Sequence, residues 1–141
     1  MSNWDMQLET AKKDGKVHTL YPIGFKIPMA DPHDIGEFAA RLMMEPVGKT
    51  GLHYVEGPQA YSSADVAEAL SEVLKTPVEA VETPERQWIP TLRKMGFSEK
   101  AAKSMANMTN LTLEQKFEKP DEPYRGRTTL KEYVEKLAKS Y

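Results

Sequence analysis

The strongest alternation of hydrophobic and polar positions lies between Leu52 and Thr83 and predicts a strand, a helix and a second strand. His53-Tyr54-Val55 is a short β-branched and aromatic run, apolar residues recur at helical spacing from Val66 to Leu74, and Val78 to Glu82 follows as the second strand. The connection is long enough for the two strands to lie parallel. We therefore expect a right-handed β-α-β crossover.

Local signals bound the helix of this unit. Gly57-Pro58 ends the first strand, and Ser62 with Asp65 has the spacing of a capping box, in which hydroxyl and carboxylate satisfy free backbone N–H groups. Thr76-Pro77 predicts the end of the helix because proline cannot continue it.

Weaker patterns precede this unit. Trp4, Leu8 and Ala11 share one helical face, and Asp14-Gly15 closes that segment. Val17 to Tyr21 and Phe25 to Met29 read as two short strands, and the Pro22-Ile23-Gly24 segment between them predicts a hairpin or a bent loop.

A helix with a clear start is predicted near position 32. Asp31-Pro32-His33-Asp34 is a capping cluster, Asp34 and Glu37 repeat the capping-box spacing, and Pro46 ends the helix before a linker from Val47 to Gly51. The apolar side predicted to face the core comprises Ile35, Phe38, Ala39, Leu42 and Met43.

Two helices are predicted between Pro84 and Phe117. Pro84 opens a helical turn, and Pro90 requires that the first helix either begin near Gln87 or bend. Ser98 caps the second helix, and its stretch from Asn107 to Thr112 is rich in poor helix formers, so we expect a distortion or a break there. The apolar residues predicted to face inward are Trp88, Ile89, Leu92 and Met95 in the first helix and Ala101, Ala102, Met105, Met108, Leu113 and Phe117 in the second.

The last segment predicts a surface loop and an amphipathic helix. Lys119 to Gly126 contains two prolines and a glycine, which is typical of a loop. Thr129 and Glu132 form another capping box, and the apolar side of the helix is Leu130, Tyr133, Val134, Leu137, Ala138 and Tyr141.

Composition excludes several classes. A chain of 141 residues fits one domain, residues 1–141, and the absence of cysteine excludes disulfides and thiolate metal sites. A net charge of -2 gives no electrostatic support for a nucleic-acid partner. Neither a membrane span nor a secretory leader is apparent, so we expect a cytoplasmic protein.

Candidate chemistry is sparse. Gly48-Lys49-Thr50 resembles the end of a phosphate-binding loop, but position 43, where that motif requires its first glycine, is Met43. The Gly-x-Gly-x-x-Gly pattern of dinucleotide-binding turns does not occur in the sequence. His18, His33 and His53 lack the spacing of helical metal ligands, so no metal site is predicted. The many methionines either fill the core or, with Trp88, Met105 and Met108, line an apolar pocket.

Two segments resemble a known family. Ile27-Pro28-Met29-Ala30-Asp31-Pro32-His33-Asp34-Ile35-Gly36-Glu37-Phe38-Ala39-Ala40, and Leu52 to Leu74 with its Gly57-Pro58-Gln59-Ala60-Tyr61-Ser62 turn, are similar to the C-terminal half of NmrA-like proteins, members of the atypical short-chain dehydrogenase/reductase superfamily. The resemblance implies an α/β fold that is the C-terminal part of an incomplete Rossmann-type protein. The first half, with the glycine-rich turn and most of the NAD(P) site, would be missing.

The resemblance also implies roles for residues. Asn3 and Trp4 would lie near the nicotinamide end of the cleft, and Phe25, Trp88 and Met105 near the substrate. No residue of this chain is assigned to cofactor binding or catalysis, and the superfamily's Tyr-x-x-x-Lys pair is missing. The residues four positions after Tyr21, Tyr54, Tyr61 and Tyr124 are Phe25, Pro58, Asp65 and Thr128.

Two functions from different classes follow. The chain is either the substrate-binding portion of an NmrA-like NAD(P)-dependent oxidoreductase or redox sensor, not catalytic as an isolated chain, or a stand-alone small-molecule-binding or protein-interaction module. Because an incomplete sheet exposes strand edges and apolar surface, we expect a homodimer or a complex with a separate nucleotide-binding chain. A small apolar ligand is compatible with both functions.

Overall fold

The computed structural model describes residues 1–46 and 51–140 and shows a mixed α/β fold, which confirms the predicted class. None of the helices in these two ranges is long and apolar enough to cross a membrane. The helices are α1 Leu8–Asp14, α2 Pro32–Met43, α3 Ser63–Leu74, α4 Trp88–Lys94, α5 Glu99–Leu113 and α6 Leu130–Lys139, with 3₁₀ segments at Ser2–Gln7 and Glu85–Gln87. The strands are β1 Lys16–Thr19, β2 Ile27–Pro28, β3 Val55–Glu56, β4 Ala60–Tyr61, β5 Glu79–Glu82 and β6 Tyr124–Arg125.

The longest strands, β1 and β5, form a parallel pair in which Val17 lies opposite Ala80. Gly15 ends α1 in the left-handed conformation, with φ of 64°, and its carbonyl accepts a hydrogen bond from the Glu79 N–H at 2.9 Å. A side chain at Gly15 would meet the Pro77 carbonyl, so glycine is required both by conformation and by space. Strand β1 is thereby aligned with β5 as soon as the chain leaves α1.

This pairing corrects the predicted crossover. The parallel partner of β5 is β1, whereas β3, at the end of the predicted His53-Tyr54-Val55 strand, pairs in parallel with β6. The physical reason is burial, since Val17 is fully buried while His53 is exposed and Tyr54 only half-buried. The connection from β1 to β5 does contain α3, so a parallel crossover exists with a different first strand.

The remaining strand pairs decide between the hairpin and the bent loop predicted near Pro22, and they place a short strand within the predicted surface loop. Strand β2 pairs antiparallel with β4, so the predicted hairpin between the first two strands does not form. The segment between them is the bent loop that was the other alternative, closed by a hydrogen bond from the Phe25 N–H to the Pro22 carbonyl at 2.8 Å. The predicted surface loop of Lys119 to Gly126 contains β6, held by Tyr54 and Glu56 carbonyls.

The main core is built by α1, α3, α6 and the β1–β5 pair. Two of the three predicted capping boxes are confirmed: Ser62 and Asp65 start α3, and Thr129 and Glu132 start α6. Tyr61 links the two helices, because its hydroxyl oxygen accepts the Leu130 N–H at 3.2 Å. The buried core residues are Met1, Leu8, Ala11, Val17, Tyr61, Val66, Ala67, Ala69, Leu70, Leu130 and Val134.

Helix α2 differs most from its prediction. Its N-cap is Asp31, whose carboxylate accepts the His33 N–H at 2.9 Å, so the predicted box of Asp34 and Glu37 does not cap the helix. Asp34 instead turns inward and is buried. The predicted core-facing stripe is largely exposed: Met43 has 88% and Ile35 43% of its surface accessible.

Helices α4 and α5 pack on each other beside the core. Helix α4 begins at Trp88 with Pro90 as its third residue, which confirms the short-helix alternative. Helix α5 runs unbroken to Leu113, so the break predicted at Asn107 to Thr112 is wrong. The hydroxyls of Thr109 and Thr112 donate to carbonyls four residues back, which satisfies them within the helix.

The side of α5 that faces inward is also shifted from the predicted one. Ala102, Ala106 and Thr109 are buried, whereas Ala101, Met108 and Phe117 are exposed. The predictions for Gly48-Lys49-Thr50, for most of the Val47 to Gly51 linker and for Tyr141 lie outside the described residues.

Candidate functional site

Asn3 and Trp4 lie in the 3₁₀ segment that precedes α1. Asn3 is exposed, while Trp4 is half-buried and packs against the core, with its indole N–H donating to the Sδ atom of Met29 at 3.4 Å. The Met1 ammonium donates to the Ala30 carbonyl at 2.6 Å, and partial burial lowers its pKa. This segment is therefore fixed against the β2 region, with Asn3 facing solvent.

Phe25 is half-buried at the end of the bent loop between β1 and β2. Its ring stacks on Tyr21, with centroids 5.7 Å apart and planes 9° apart. The loop is attached to the start of α3, since the Ile23 carbonyl accepts both the Ser63 hydroxyl and the Ala64 N–H. The two rings of the Tyr21–Phe25 pair are therefore nearly parallel, and the loop that carries them is fixed by hydrogen bonds to α3.

Trp88 and Met105 belong to the α4–α5 unit. Trp88 is 4% exposed and its indole N–H donates to the Thr83 carbonyl at 2.7 Å, so its polar atom is satisfied inside the protein. Met105 is half-buried, and Met108, the third residue of the predicted apolar pocket, is 50% exposed. In this conformation Trp88 packs inside, while Met108 is available at the surface.

No hydrogen bond or ring contact joins any two of the five predicted site residues, all of which are among the described residues. Trp4 packs on the core, Phe25 on the loop, and Trp88 and Met105 lie on a separate helix pair. Two open surface depressions lie instead between α3 and α6. Both are lined by Glu72 and Lys131, whose Oε2 and Nζ atoms form an ion pair at 2.7 Å. Charges of both signs line them, which does not suit an apolar ligand.

The structure also assembles an aromatic cluster that the sequence did not indicate. Phe38 of α2 stacks on Tyr124 of β6 with centroids 4.2 Å apart, and the edge of the His53 ring contacts Phe38 at 6.1 Å. The Arg41 guanidinium lies 5.3 Å above the Tyr124 ring and donates to its hydroxyl at 3.3 Å. Only the helical periodicity of Phe38 was visible in advance, and it predicted core packing.

His33, Asp34 and Glu37 bring ligand atoms within 4.8 Å of one another. Contacts within the chain explain the arrangement. Both Asp34 oxygens accept hydrogen bonds from Thr128, and Nδ1 of His33 lies 3.6 Å from Oε1 of Glu37 one turn away. Burial acts to raise the pKa of Asp34, but the hydrogen bonds from Thr128 and the Arg127 backbone outweigh it and lower the pKa. Asp34 is thus a charged structural group.

Helix N-termini are the usual sites for a dinucleotide pyrophosphate, and carboxylates stand in the first turn of four of the helices described here. The first turns of α2, α3, α5 and α6 carry Asp34, Asp65, Glu99 and Glu132. The Ser62 backbone N–H lowers the pKa of Asp65, and the Thr129 backbone N–H lowers that of Glu132, so both are ionised at neutral pH. In these four helices the N-terminal turn already holds a carboxylate where a phosphate would otherwise bind.

Comparison with solved structures finds proteins of similar fold. No family model matches the sequence, and no curated protein matches it. The crystal structure of a new type of NADPH-dependent quinone oxidoreductase (QOR2) from Escherichia coli superposes with a TM-score of 0.76 and 21% identity, covering 97% of this chain and 51% of that one. The crystal structure of QOR2 complexed with NADPH superposes with a TM-score of 0.73 and 20% identity, covering 97% of this chain and 50% of that one.

The chain spans about half the length of the solved structures it matches. At this level of identity the comparison establishes the fold and not the activity. The chain is therefore similar in fold to one half of an NADPH-dependent reductase.

Proposed function

We propose that this chain is the substrate-binding portion of an NmrA-like NAD(P)-dependent oxidoreductase or redox sensor, equivalent to the C-terminal half of such proteins. The observation that carries the proposal is the coverage of the comparison, in which nearly the whole chain matches and half of each reductase does not. The resemblance of Asp34-Ile35-Gly36-Glu37 and the Gly57-Pro58 turn to NmrA-like sequences supports the same assignment.

The isolated chain neither binds NAD(P) nor turns over under this proposal. It has no glycine-rich phosphate turn, the first turns of α2, α3, α5 and α6 carry carboxylates, and no Tyr-x-x-x-Lys pair is present. A nucleotide-binding half from elsewhere would supply the hydride donor. The residues of this chain would hold the acceptor.

The acceptor class that fits is a planar, largely apolar carbonyl compound, such as the quinone named for the structural neighbour. The stacked Tyr21–Phe25 pair offers aromatic ring faces suited to such a molecule. Trp4 and Phe25 are partly accessible and can take part directly, while Asn3, exposed beside Trp4, supplies a hydrogen-bonding amide. Trp88, which is 4% exposed, and Met105, which is half-buried, would line the deeper part of the site.

Two titrations of the purified 141-residue chain test the proposal. NADPH fluorescence is expected to stay unchanged on mixing, and tight stoichiometric uptake of NADPH would overturn the assignment. A tetramethylated benzoquinone is expected to quench tryptophan fluorescence saturably, with weaker binding in Phe25→Ala. The matched control is Phe117→Ala, at an exposed aromatic residue beyond the end of α5.

The second candidate is a stand-alone binding or interaction module, favoured by the apolar residues exposed on α2. It differs from the first in its genetic context. An in-frame or frameshifted glycine-rich segment in the DNA immediately upstream supports the oxidoreductase, and saturable quinone binding in the absence of such a segment supports the module.

A further inference from the structure

The α4–α5 unit, formed by Trp88–Lys94 and Glu99–Leu113, has a small buried cluster of its own. Among the described residues, no member of this cluster belongs to the main core, and the partly buried hydrophobic residues that pack against that core also lie outside the unit. Parts of a protein with separate buried clusters open with separate free energies, so the unit is able to move while the main core stays packed. The members of the cluster are Trp88, Leu92, Ala102, Ala106 and Thr109.

The unit is attached to the sheet at the end of β5. The contacts of α4 and α5 are chiefly with each other and with the 3₁₀ segment Glu85–Gln87. The Thr83 N–H still pairs with β1, donating to the Thr19 carbonyl at 2.8 Å, and the chain enters the 3₁₀ segment at Pro84. The Thr83 carbonyl accepts the indole N–H of Trp88 at 2.7 Å. We call this last hydrogen bond the latch.

The latch spans a position at which the chain is able to turn. The ring of Pro84 fixes its φ, here -56°, so that its ψ of 142° is the free torsion between Thr83 and the 3₁₀ segment. A rotation about this bond carries the 3₁₀ segment and the α4–α5 unit together and separates Trp88 from the Thr83 carbonyl. Hinges are typically a few residues at the ends of secondary-structure elements, and Pro84 is in such a place.

The other end of the unit is loosely connected. The chain leaves α5 through Gln115, which has the left-handed φ of 54°, and forms no helix or strand until β6 begins at Tyr124. A segment without regular structure accommodates a rotation of the unit with small changes at many bonds.

The unit leaves the sheet beside the Tyr21–Phe25 pair. Because β1 and β5 are parallel, the chain leaves both strands at the same edge of the sheet. Thr19 connects the two, since its carbonyl accepts the Thr83 N–H and its hydroxyl accepts the Tyr21 N–H at 3.0 Å. Ligands of open α/β sheets bind in the crevice beyond the carboxyl ends of the strands. The aromatic pair and the start of the unit are therefore next to the crevice where an acceptor would bind.

We propose that the α4–α5 unit is a gate, which turns about ψ of Pro84 and opens when the Trp88–Thr83 latch breaks. The structure described here is the closed form. In the open form the indole N–H is free to donate to the carbonyl oxygen of an acceptor. This use of the gate rests on the proposed function, whereas the motion is a property of the chain and is measured without a ligand.

Distances between pairs of nitroxide labels, measured by double electron–electron resonance, test the motion, and the chain has no native cysteine. Lys100→Cys with Glu68→Cys joins exposed positions on the unit and on α3. In this background Trp88→Phe keeps an aromatic ring but cannot donate the latch bond. It is expected to raise the ratio of open to closed molecules about three- to tenfold, the equivalent of one hydrogen bond, so that a second distance grows.

Two further label pairs show which part of the chain moves. Lys94→Cys with Met108→Cys lies within the unit, and Lys13→Cys with Glu68→Cys lies within the main core, all at exposed positions. Both pairs are expected to keep one distance in Trp88→Phe. A second distance within the unit would indicate that the unit unfolds instead of turning, and it would overturn the gate.

The matched control variant is Asn110→Ala, which removes a 3.5 Å hydrogen bond to the Glu85 carboxylate. Both residues turn together, so the ratio of open to closed molecules is expected to stay unchanged. Pro84→Gly frees φ at the hinge while keeping Trp88, and it is expected to increase the open form as well. A single unchanged distance between the unit and α3 in both Trp88→Phe and Pro84→Gly would overturn the gate.

A tetramethylated benzoquinone separates the gate from the proposed acceptor. When added to the labelled chain with Trp88 intact, it is expected to increase the open form, because a ligand shifts the equilibrium toward the form that it binds. If the quinone changes nothing while Trp88→Phe still produces the second distance, the acceptor is wrong and the gate is supported.

Discussion

Asp34 and Thr128 are joined by two hydrogen bonds although they stand 94 positions apart in the chain. The Thr128 backbone N–H donates to Oδ2 at 2.9 Å, and the hydroxyl donates to Oδ1 at 3.0 Å. Both residues are buried, and Thr128 immediately precedes the N-cap of α6. The contact therefore attaches the first turn of α2 to the start of the last helix.

Asp34→Asn is expected to reduce the free energy of unfolding at neutral pH by about 1–3 kcal/mol, because an amide cannot accept at both positions. The pKa of Asp34 is lowered in the folded protein, so its stabilising contribution is present above the ordinary value of 3.8 and is lost as pH falls below it. Urea unfolding measured from pH 7 to pH 3 checks this, and the variant should show a shallower loss than the wild type.

The control for that measurement is Asp121→Asn, at an exposed loop residue, which should leave the pH profile unchanged. Thr128→Val removes only the hydroxyl donor and should cost less than Asp34→Asn. Equal pH profiles for wild type and Asp34→Asn would contradict the role assigned to this carboxylate.

Gly126→Ala is expected to destabilise the protein by about 1–3 kcal/mol, since overpacking forces a shift of a buried contact. A Cβ at Gly126 would lie 2.5 Å from Oδ2 of Asp34, which is held by Thr128. Gly24→Ala is the matched control because a Cβ there meets nothing within 4 Å. Thermal unfolding of both variants decides the point, and equal effects would show that Asp34 moves freely.

Ser62→Ala is expected to cost about 1 kcal/mol, within the range measured for lost N-caps. The Ser62 hydroxyl oxygen accepts the Asp65 N–H at 3.2 Å, and the Asp65 carboxylate accepts the Ser62 N–H at 2.7 Å. Ser140→Ala, at the exposed end of α6, should change stability by less than about 0.5 kcal/mol. Chemical denaturation compares the two, and an unchanged midpoint for Ser62→Ala would contradict the capping role.

The two tryptophans are expected to differ in acrylamide quenching. Trp88 is almost fully buried, whereas Trp4 is partly accessible, so Trp4→Phe should leave a fluorophore with a clearly lower quenching constant than the wild type. The emission maximum should also shift to shorter wavelength. A quenching constant that rises in Trp4→Phe would show that the α4–α5 unit opens in solution without a ligand.

Sequence reasoning recovered the features that depend on neighbouring residues. Both capping boxes, the glycine end of α1 and the short helix at Trp88 were predicted, because caps and proline effects are local. The α5 break was predicted wrongly for a related reason. Low propensity was overridden by packing of Ala102 and Ala106 and by hydroxyl bonds to the helix backbone.

Contacts between residues that are distant in the chain could not be predicted from the sequence. The partner of β5 was misassigned because strand pairing depends on which faces bury each other, and Val17 gives no local sign of lying opposite Ala80. Asp34 looked like a capping residue since its contact with Thr128 is invisible in the sequence. The five site residues came from a resemblance, and among the described residues no hydrogen bond or ring contact joins any two of them.

The parallel register of β1 and β5 has a consequence during synthesis. Val17 emerges from the ribosome well before Ala80, its partner about sixty residues later, which corresponds to roughly 3–12 s at translation rates of 5–20 residues per second. For that interval the backbone of Lys16–Thr19 has no partner strand and the side chain of Val17 is uncovered. We therefore expect this segment to be open to a nascent-chain chaperone.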